Sequence, residues 1–275
     1  MLAIFKREFK SYFQNVIGWL FVAALLAVYG LYFYVYNLKN GYPYISYDLN
    51  GIGFIMMIAV PILTMRSLSD EKKTKTDQLM LTSPVSVGRI VAGKYFAMAA
   101  VYTIDIALFA LSPLVLSIYG KVALSEAYVA LFGYWLYGLS CIAVGLFISS
   151  ISESVIISAI LTFAALFLSY MMQSITGLIS SSGNLLTKVL NCFDLYTPFE
   201  NFVSGCFSVT SAAYYVTVIL LLCFLTTQSI QKRRWAFSKK MIGTGAFSAG
   251  MIVVMCALCG CKSCSDSASC QVHIN

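Results

Sequence analysis

The stretch "GRIVAGKY", residues 88–95, can be read in two ways, and each reading leads to a different fold. Gly, four residues, Gly, Lys is nearly the loop with which nucleotide hydrolases cradle phosphates, where a following Ser or Thr hydroxyl holds Mg²⁺. Gly88, Gly93 and Lys94 fit, but Tyr95 stands where the hydroxyl ligand belongs. A working loop of this kind also follows a buried strand inside an α/β unit, and no such strand pattern precedes Gly88. The other reading makes these residues the entry of a membrane helix, with Arg89 and Lys94 marking the interface and Gly93 allowing close packing.

Composition selects the second reading. The 275 residues are 60% hydrophobic and 11% charged, against about 25% charged in an ordinary soluble domain, and the mean hydropathy is +0.83. A helix that crosses a bilayer needs about 17 to 25 largely apolar residues, so the spans lie in the gaps between charges. The first runs from Val16 to Tyr36, the second between Asp48 and Arg66, the third between Lys94 and Lys121 with Asp105 inside it, and the fourth between Glu126 and Glu153. A fifth is "SVIISAILTFAALFLSYMMQSITGLI" (154–179), a sixth "AAYYVTVILLLCFLTTQSI" (212–230), and a weaker seventh "MIGTGAFSAGMIVVMCALCG" (241–260). The expected class is all-α and polytopic, with six spans plus a seventh. The first apolar run is too long for a cleavable signal and lacks a small-residue cleavage site, so it is expected to stay in the chain.

Basic residues set the expected orientation, because cytoplasmic flanks are enriched in Lys and Arg. With the N-terminus inside, that side holds Lys6, Arg7, Lys10, Arg66, Lys72, Lys73, Lys75, Arg89, Lys94, Lys232, Arg233, Arg234, Lys239 and Lys240, 14 of the 18 basic residues. The net charge of +7 is thus spread over membrane boundaries. A nucleic-acid binder would gather it on one soluble face, and no nucleic-acid partner is expected.

The segments outside the spans carry the functional signals. "MLAIFKREFKSYFQN" sets Leu2, Phe5, Phe9, Tyr12 and Phe13 on one helical stripe with Lys6, Arg7 and Lys10 opposite, the pattern of an amphipathic helix in the headgroup plane. The main loop, "RSLSDEKKTKTDQLMLTSPVSVGRIVAGK" (66–94), has a charged run, a Thr74-x-x-Asp77 capping pattern and the apolar patch Leu79, Met80, Leu81. Ser83 precedes Pro84 and is pushed out of helical geometry, while Ser86 suits an N-cap for the next helix. A short exposed apolar helix rimmed with charge has a reason to exist if it docks on a soluble partner.

With these residues in view, the block "PILTMRSLSDEKKTKTDQLMLTSPVSVGRIVAGKYFA" (61–97) resembles the signature of ABC-2 type transporter permeases, particularly the gliding-motility-type branch. "GLFISSISES" (145–154) resembles that family's turn between spans four and five, and "PFENFVSGCFSVTSAAYY" (198–215) with "QKRRW" (231–235) its approach to and exit from span six. The resemblance implies an ABC-2 (type V exporter-like) permease fold over residues 1–235, in a bacterial cytoplasmic membrane. It implies pairing with a second permease copy or homologue, and separate ABC ATPase subunits that bind ATP and Mg²⁺. The permease itself would then be no enzyme and would hold no cofactor. Residues 1–15 would be the connecting helix and 66–94 the coupling loop. Asp77, Gln78, Leu79, Met80, Leu81 and Thr82 would seat on the ATPase, with Ser152 and Glu153 as a second contact. Lys75 departs from the family, which commonly has Gly there, so the turn before the coupling segment is made without glycine's freedom.

The outer segment, residues 177–211, is too polar to span. By resemblance it forms short helices that dip back into the outer leaflet, which is tolerated where protein covers the backbone; an ordinary surface loop is the alternative. Asp105 lies 11 residues past Lys94, about 16 Å along a helix at 1.5 Å per residue. A carboxylate at that depth is either part of a transport path or a packed, hydrogen-bonded group. Residues 236–275 form an additional apolar segment and a Cys-rich tail with Cys256, Cys259, Cys261, Cys264, Cys270 and His273. Zinc is disfavoured there, because no paired knuckle with a loop between is present.

Enzyme chemistry has little to work with: one His, at the chain's end, and no triad or His-Glu metal motif. The competing classes are an ATP-independent transporter or channel that uses Asp105, and a membrane scaffold. Secondary transporters show related halves and several intramembrane polar groups, whereas the reading of the spans yields Asp105 alone.

Overall fold

The computed structural model describes residues 2–74, 86–119, 122–179, 194–205 and 207–232. All regular elements among them are helical. In chain order they are α1 (Leu2–Gln14), α2 (Val16–Phe33), α3 (Ser46–Thr64), α4 (Ser69–Lys73), α5 (Val87–Phe109), α6 (Ser112–Tyr119), α7 (Leu124–Ile151), α8 (Val155–Ile179), α9 (Thr197–Val203) and α10 (Val209–Lys232). Among the described residues six stretches are long and apolar enough to cross a membrane: Val16–Lys39, Ser46–Lys73, Val87–Ile118, Leu124–Ile151, Val155–Met172 and Val209–Gln231. The fold is the all-α, six-span architecture expected from hydropathy; the seventh apolar segment lies outside the described residues.

The fourth span is the axis of the bundle. Its apolar window is 72% buried, against 28% for the first and fifth, so α7 stands inside and α2 and α8 form the perimeter. Three glycines on α7 make that central position possible. A Cβ at Gly133 would come within 2.4 Å of Phe202, at Gly138 within 2.3 Å of Tyr102, and at Gly145 within 2.3 Å of Thr64. Hydrocarbon exerts no hydrophobic pressure between spans, so close approach of small residues is a principal source of attraction. The perimeter helix α8 turns Ile156, Ile157, Ile160, Leu161 and Leu168 outward, a face matched to lipid.

Several local features depart from the plain span pattern. Asp105 does not interrupt the third span; the helix breaks later, at Ala110 and Leu111, just before Pro113, whose missing N–H suits the first turn of α6. At its far end α2 widens into a π-helical stretch, Tyr34–Lys39, in which Asn37 is buried. Asp48, in the first turn of α3, is also fully buried, so Asp105 is not the single acidic residue within the apolar spans.

α1 folds back against α2 and α5. Asn15 is extended and separates it from α2, and Gly18 lets the Tyr12 carbonyl approach to a point only 2.4 Å from where a Cβ would be. A ladder of rings fixes the corner: Phe5 on Phe9 at 5.8 Å, Phe9 on Phe13 at 5.0 Å, and Phe13 edge-on to Trp19 at 5.3 Å. Trp19 Nε1 donates to the Phe13 carbonyl at 2.9 Å.

Candidate functional site

Polar chemistry gathers at the end of the bundle where α1 lies. The second span leaves its helix after Thr64 and restarts as α4, and the backbone N–H groups of Leu68 and Ser69 both donate to Ser149 Oγ at 3.1 Å. Ser149 comes from the last turns of α7 and is fully buried. The two hydroxyls, Ser69 Oγ and Ser149 Oγ, lie 3.0 Å apart, and Lys72 Nζ donates to the Ser150 carbonyl. Orphan N–H groups at the start of a helix need acceptors; here a distant helix supplies one.

The third span enters beside this clasp. Its residues 88–95 are continuous α-helix within α5, so "GRIVAGKY" forms no phosphate-wrapping loop. Lys94, read from sequence as an interface marker, is 2% exposed. Its Nζ contacts Glu71 Oε1 at 2.7 Å, the Ser67 carbonyl at 3.1 Å and Glu8 Oε1 at 3.3 Å. Glu8 also accepts from Arg7 at 2.8 Å, and this contact raises the Arg7 guanidinium further above its ordinary value.

The coupling residues inferred by resemblance fall as follows. Asp77, Gln78, Leu79, Met80, Leu81 and Thr82 lie outside the described residues. Ser152 is buried at the end of α7 with extended backbone, and Glu153 is exposed in the turn that follows. The turn is therefore continuous with Ser149 and Ser150, which hold α4.

Asp105 is on α5, fully buried, and neither carboxylate oxygen has a hydrogen-bond partner among the described residues. The Tyr134 hydroxyl, on α7, is likewise buried and unpartnered there. Tyr102, one turn before Asp105, donates to the Tyr134 carbonyl at 2.7 Å.

At the opposite end of the bundle, the described part of the 177–211 segment is also built in. Asp194 accepts the N–H groups of Tyr196 and Thr197 at 3.0 Å, capping α9. The Tyr215 and Tyr214 hydroxyls donate to the carbonyls of Leu195 and Asp194 at 2.7 and 3.2 Å. Phe199 and Phe202 on α9 are fully buried against the bundle. Residues 180–193 lie outside the described residues.

Sequence reasoning missed the two acids that meet Lys94, and the part Ser149 plays as acceptor for the start of α4. The usable signal was that Lys94 stands two turns inside an apolar helix, where an unpaired ammonium is costly, and that Glu8 is the acidic residue on an otherwise basic α1.

Six apolar spans among the described residues, the fourth of them the most buried, define a multi-pass α-helical membrane protein. The sequence model described as "ABC-2 family transporter protein" matches residues 23–230, well over half the chain, and the chain belongs to that family. Comparison with curated proteins finds no match. The protein is thus a permease subunit of an ABC transporter, the membrane transport component rather than the catalytic one, and such permeases typically work with an ABC ATPase.

Proposed function

We propose that this permease forms the translocation path of an exporter driven by separate ATPase subunits, to which it couples through Asp77–Thr82 and through Ser152 and Glu153. It works as a pair with a second copy or a homologue in a bacterial cytoplasmic membrane, its N-terminus and the α1 end of the bundle on the cytoplasmic side. It belongs with the gliding-motility-type branch, whose signature the 61–97 block resembles. ATP and Mg²⁺ reside on the partner. Residues 1–15 serve as the connecting helix, 66–94 as the coupling loop and 177–211 as a re-entrant segment, while 236–275 is an appended apolar and Cys-rich tail.

One observation carries the reading. α4, which leads directly into the 77–82 segment, is clasped by Ser149 and Ser150, which lead directly into Ser152 and Glu153. The described chain next to each proposed contact, α4 on one side and Ser149–Ser150 on the other, is held at one place, which supports a shared docking partner. ATPase closure on ATP would push on both at once, and the rigid α7 would carry the displacement into the bundle.

The test is co-purification. Met80→Asp places a charge in the docking patch; it should leave membrane insertion intact and abolish recovery of the ATPase with the tagged chain. Normal recovery would overturn the assignment. A second reading is favoured by the unpartnered oxygens of Asp105: an ATP-independent transporter in which that carboxylate binds the coupling ion. Transport by the chain reconstituted without an ATPase would establish it.

A further inference from the structure

Lys94 gathers acceptors from two places far apart in the sequence. Its position on α5 is seven residues past Val87, about 10 Å into the helix, and its side chain is almost wholly out of solvent. Burial of a lone ammonium is strongly unfavourable unless its donors are satisfied by partners of opposite charge. The ammonium donates to Glu71 at 2.7 Å and to the Ser67 carbonyl at 3.1 Å, and pairs with the Glu8 carboxylate at 3.3 Å. One acid belongs to α1 (Glu8), while the other acid and the carbonyl belong to α4 and the turn before it (Glu71, Ser67). With Arg7 exposed beside Glu8, charges alternate along the row Arg7, Glu8, Lys94, Glu71, and Lys94 is its most buried member.

We propose that Lys94 is a positioning residue that locks α1 and α4 into one block on the third span, so that neither helix shifts without the other. The lock is geometric. If α1 slides away with Glu8, Lys94 keeps Glu71 but loses half of its compensating charge while its own side chain stays almost wholly buried. If α4 moves, the same loss arises from Glu71. Either displacement leaves a buried charge under-compensated, and the low local dielectric makes that loss far larger than for a surface pair. The Ser149 clasp holds α4 to α7 from the other side, so the block is tied to the central helix as well. α1, whose aromatic face and Trp19 corner already set its angle, thereby reports the position of α4.

Hydrogen–deuterium exchange on the full chain in lipid nanodiscs tests this, with Lys94→Met, Glu8→Gln and Lys94→Arg. In Lys94→Met, exchange in Leu2–Gln14 and Ser69–Lys73 should rise together by about tenfold or more, while Leu124–Ile151 keeps its protection. Glu8→Gln, a milder and more peripheral change, should loosen Leu2–Gln14 and leave Ser69–Lys73 near the parent. Lys94→Arg keeps the charge and should restore most of the protection in both segments. The proposal is overturned if Lys94→Met leaves α1 as protected as in the parent, or if Lys94→Met loosens α1 without α4. Collapse of protection in every span of Lys94→Met, with no change in α1 of Glu8→Gln, would also overturn it, since Lys94 would then be a general requirement of the bundle.

Discussion

Ser149 and Ser69, eighty residues apart, meet twice: the Ser149 hydroxyl accepts the Ser69 backbone N–H at 3.1 Å and lies 3.0 Å from the Ser69 hydroxyl. Both residues are fully buried, and the same oxygen accepts the Leu68 N–H. The start of α4 is therefore capped from another helix. Ser149→Ala leaves two N–H groups without that acceptor, and a buried unsatisfied donor costs about 1–3 kcal/mol. We expect a lower melting temperature in detergent and weaker recovery of a partner ATPase; unchanged melting would mean that water or another oxygen replaces the hydroxyl.

The contact between α7 and α3 is limited by Gly145. A methyl there would fall 2.3 Å from Thr64 Oγ1 and 2.8 Å from its Cβ, and Thr64 is itself tied to the Val60 carbonyl at 3.0 Å. Gly145→Ala should destabilise by about 1–3 kcal/mol, the usual range for overpacking. Thr64→Ala in the same chain should return part of the loss, seen as a higher melting temperature in the double variant than in Gly145→Ala alone.

Asp105 is buried at a cost, with no hydrogen-bond partner among the described residues. Asp105→Asn keeps the shape and removes the charge, so the variant should melt above the parent by the equivalent of about 1 kcal/mol or more. Expense retained at mid-span points to use, and ATP-dependent transport by Asp105→Asn should fall despite the added stability. Higher stability with full transport would assign Asp105 to packing.

The short helix α9 depends on hydroxyls from α10. Tyr215→Phe removes the donor to the Leu195 carbonyl, a contact of 2.7 Å between buried groups. The loss should be about 1 kcal/mol, concentrated in residues 194–203 and read as faster hydrogen exchange there, with α7 unaffected. Uniform loosening of all spans would instead make α9 a keystone of the whole bundle.

At the far end, the Asn37 amide donates to Asp48. Asn37→Leu leaves the buried Asp48 carboxylate without that donor, at a cost on the order of 2 kcal/mol. Asp48→Asn in the same chain should restore stability by removing the charge that needed a donor; a double variant no more stable than Asn37→Leu would place the effect in the π-helical turn.

The spans were legible because each is a property of contiguous residues: apolar side chains summed over about twenty positions decide partition into hydrocarbon. The 61–97 block likewise pointed to the family from adjacent residues, and Ser86 was correctly placed just before the helix that starts at Val87. The polar contacts were legible as residues but not as pairs. Lys94 was read as a boundary marker because its position along the chain says nothing of Glu8 on α1. Asp48 was read as the edge of a span because the π-helical turn that brings Asn37 to it leaves no mark in hydropathy.

What the sequence determined by itself is the membrane-spanning class, the number and order of the six spans and the kinship with ABC-2 permeases, since all three follow from local composition and adjacent motifs. Only the tertiary structure decided that α7 is the central helix, that Lys94 is buried between two acids and that Ser149 caps α4. Those depend on the rotation and crossing of helices, which are set by where glycines such as Gly138 and Gly145 let neighbours approach. Helix rotation is fixed by the summed fit of many side chains from distant parts of the chain, and no window of neighbouring residues contains that information.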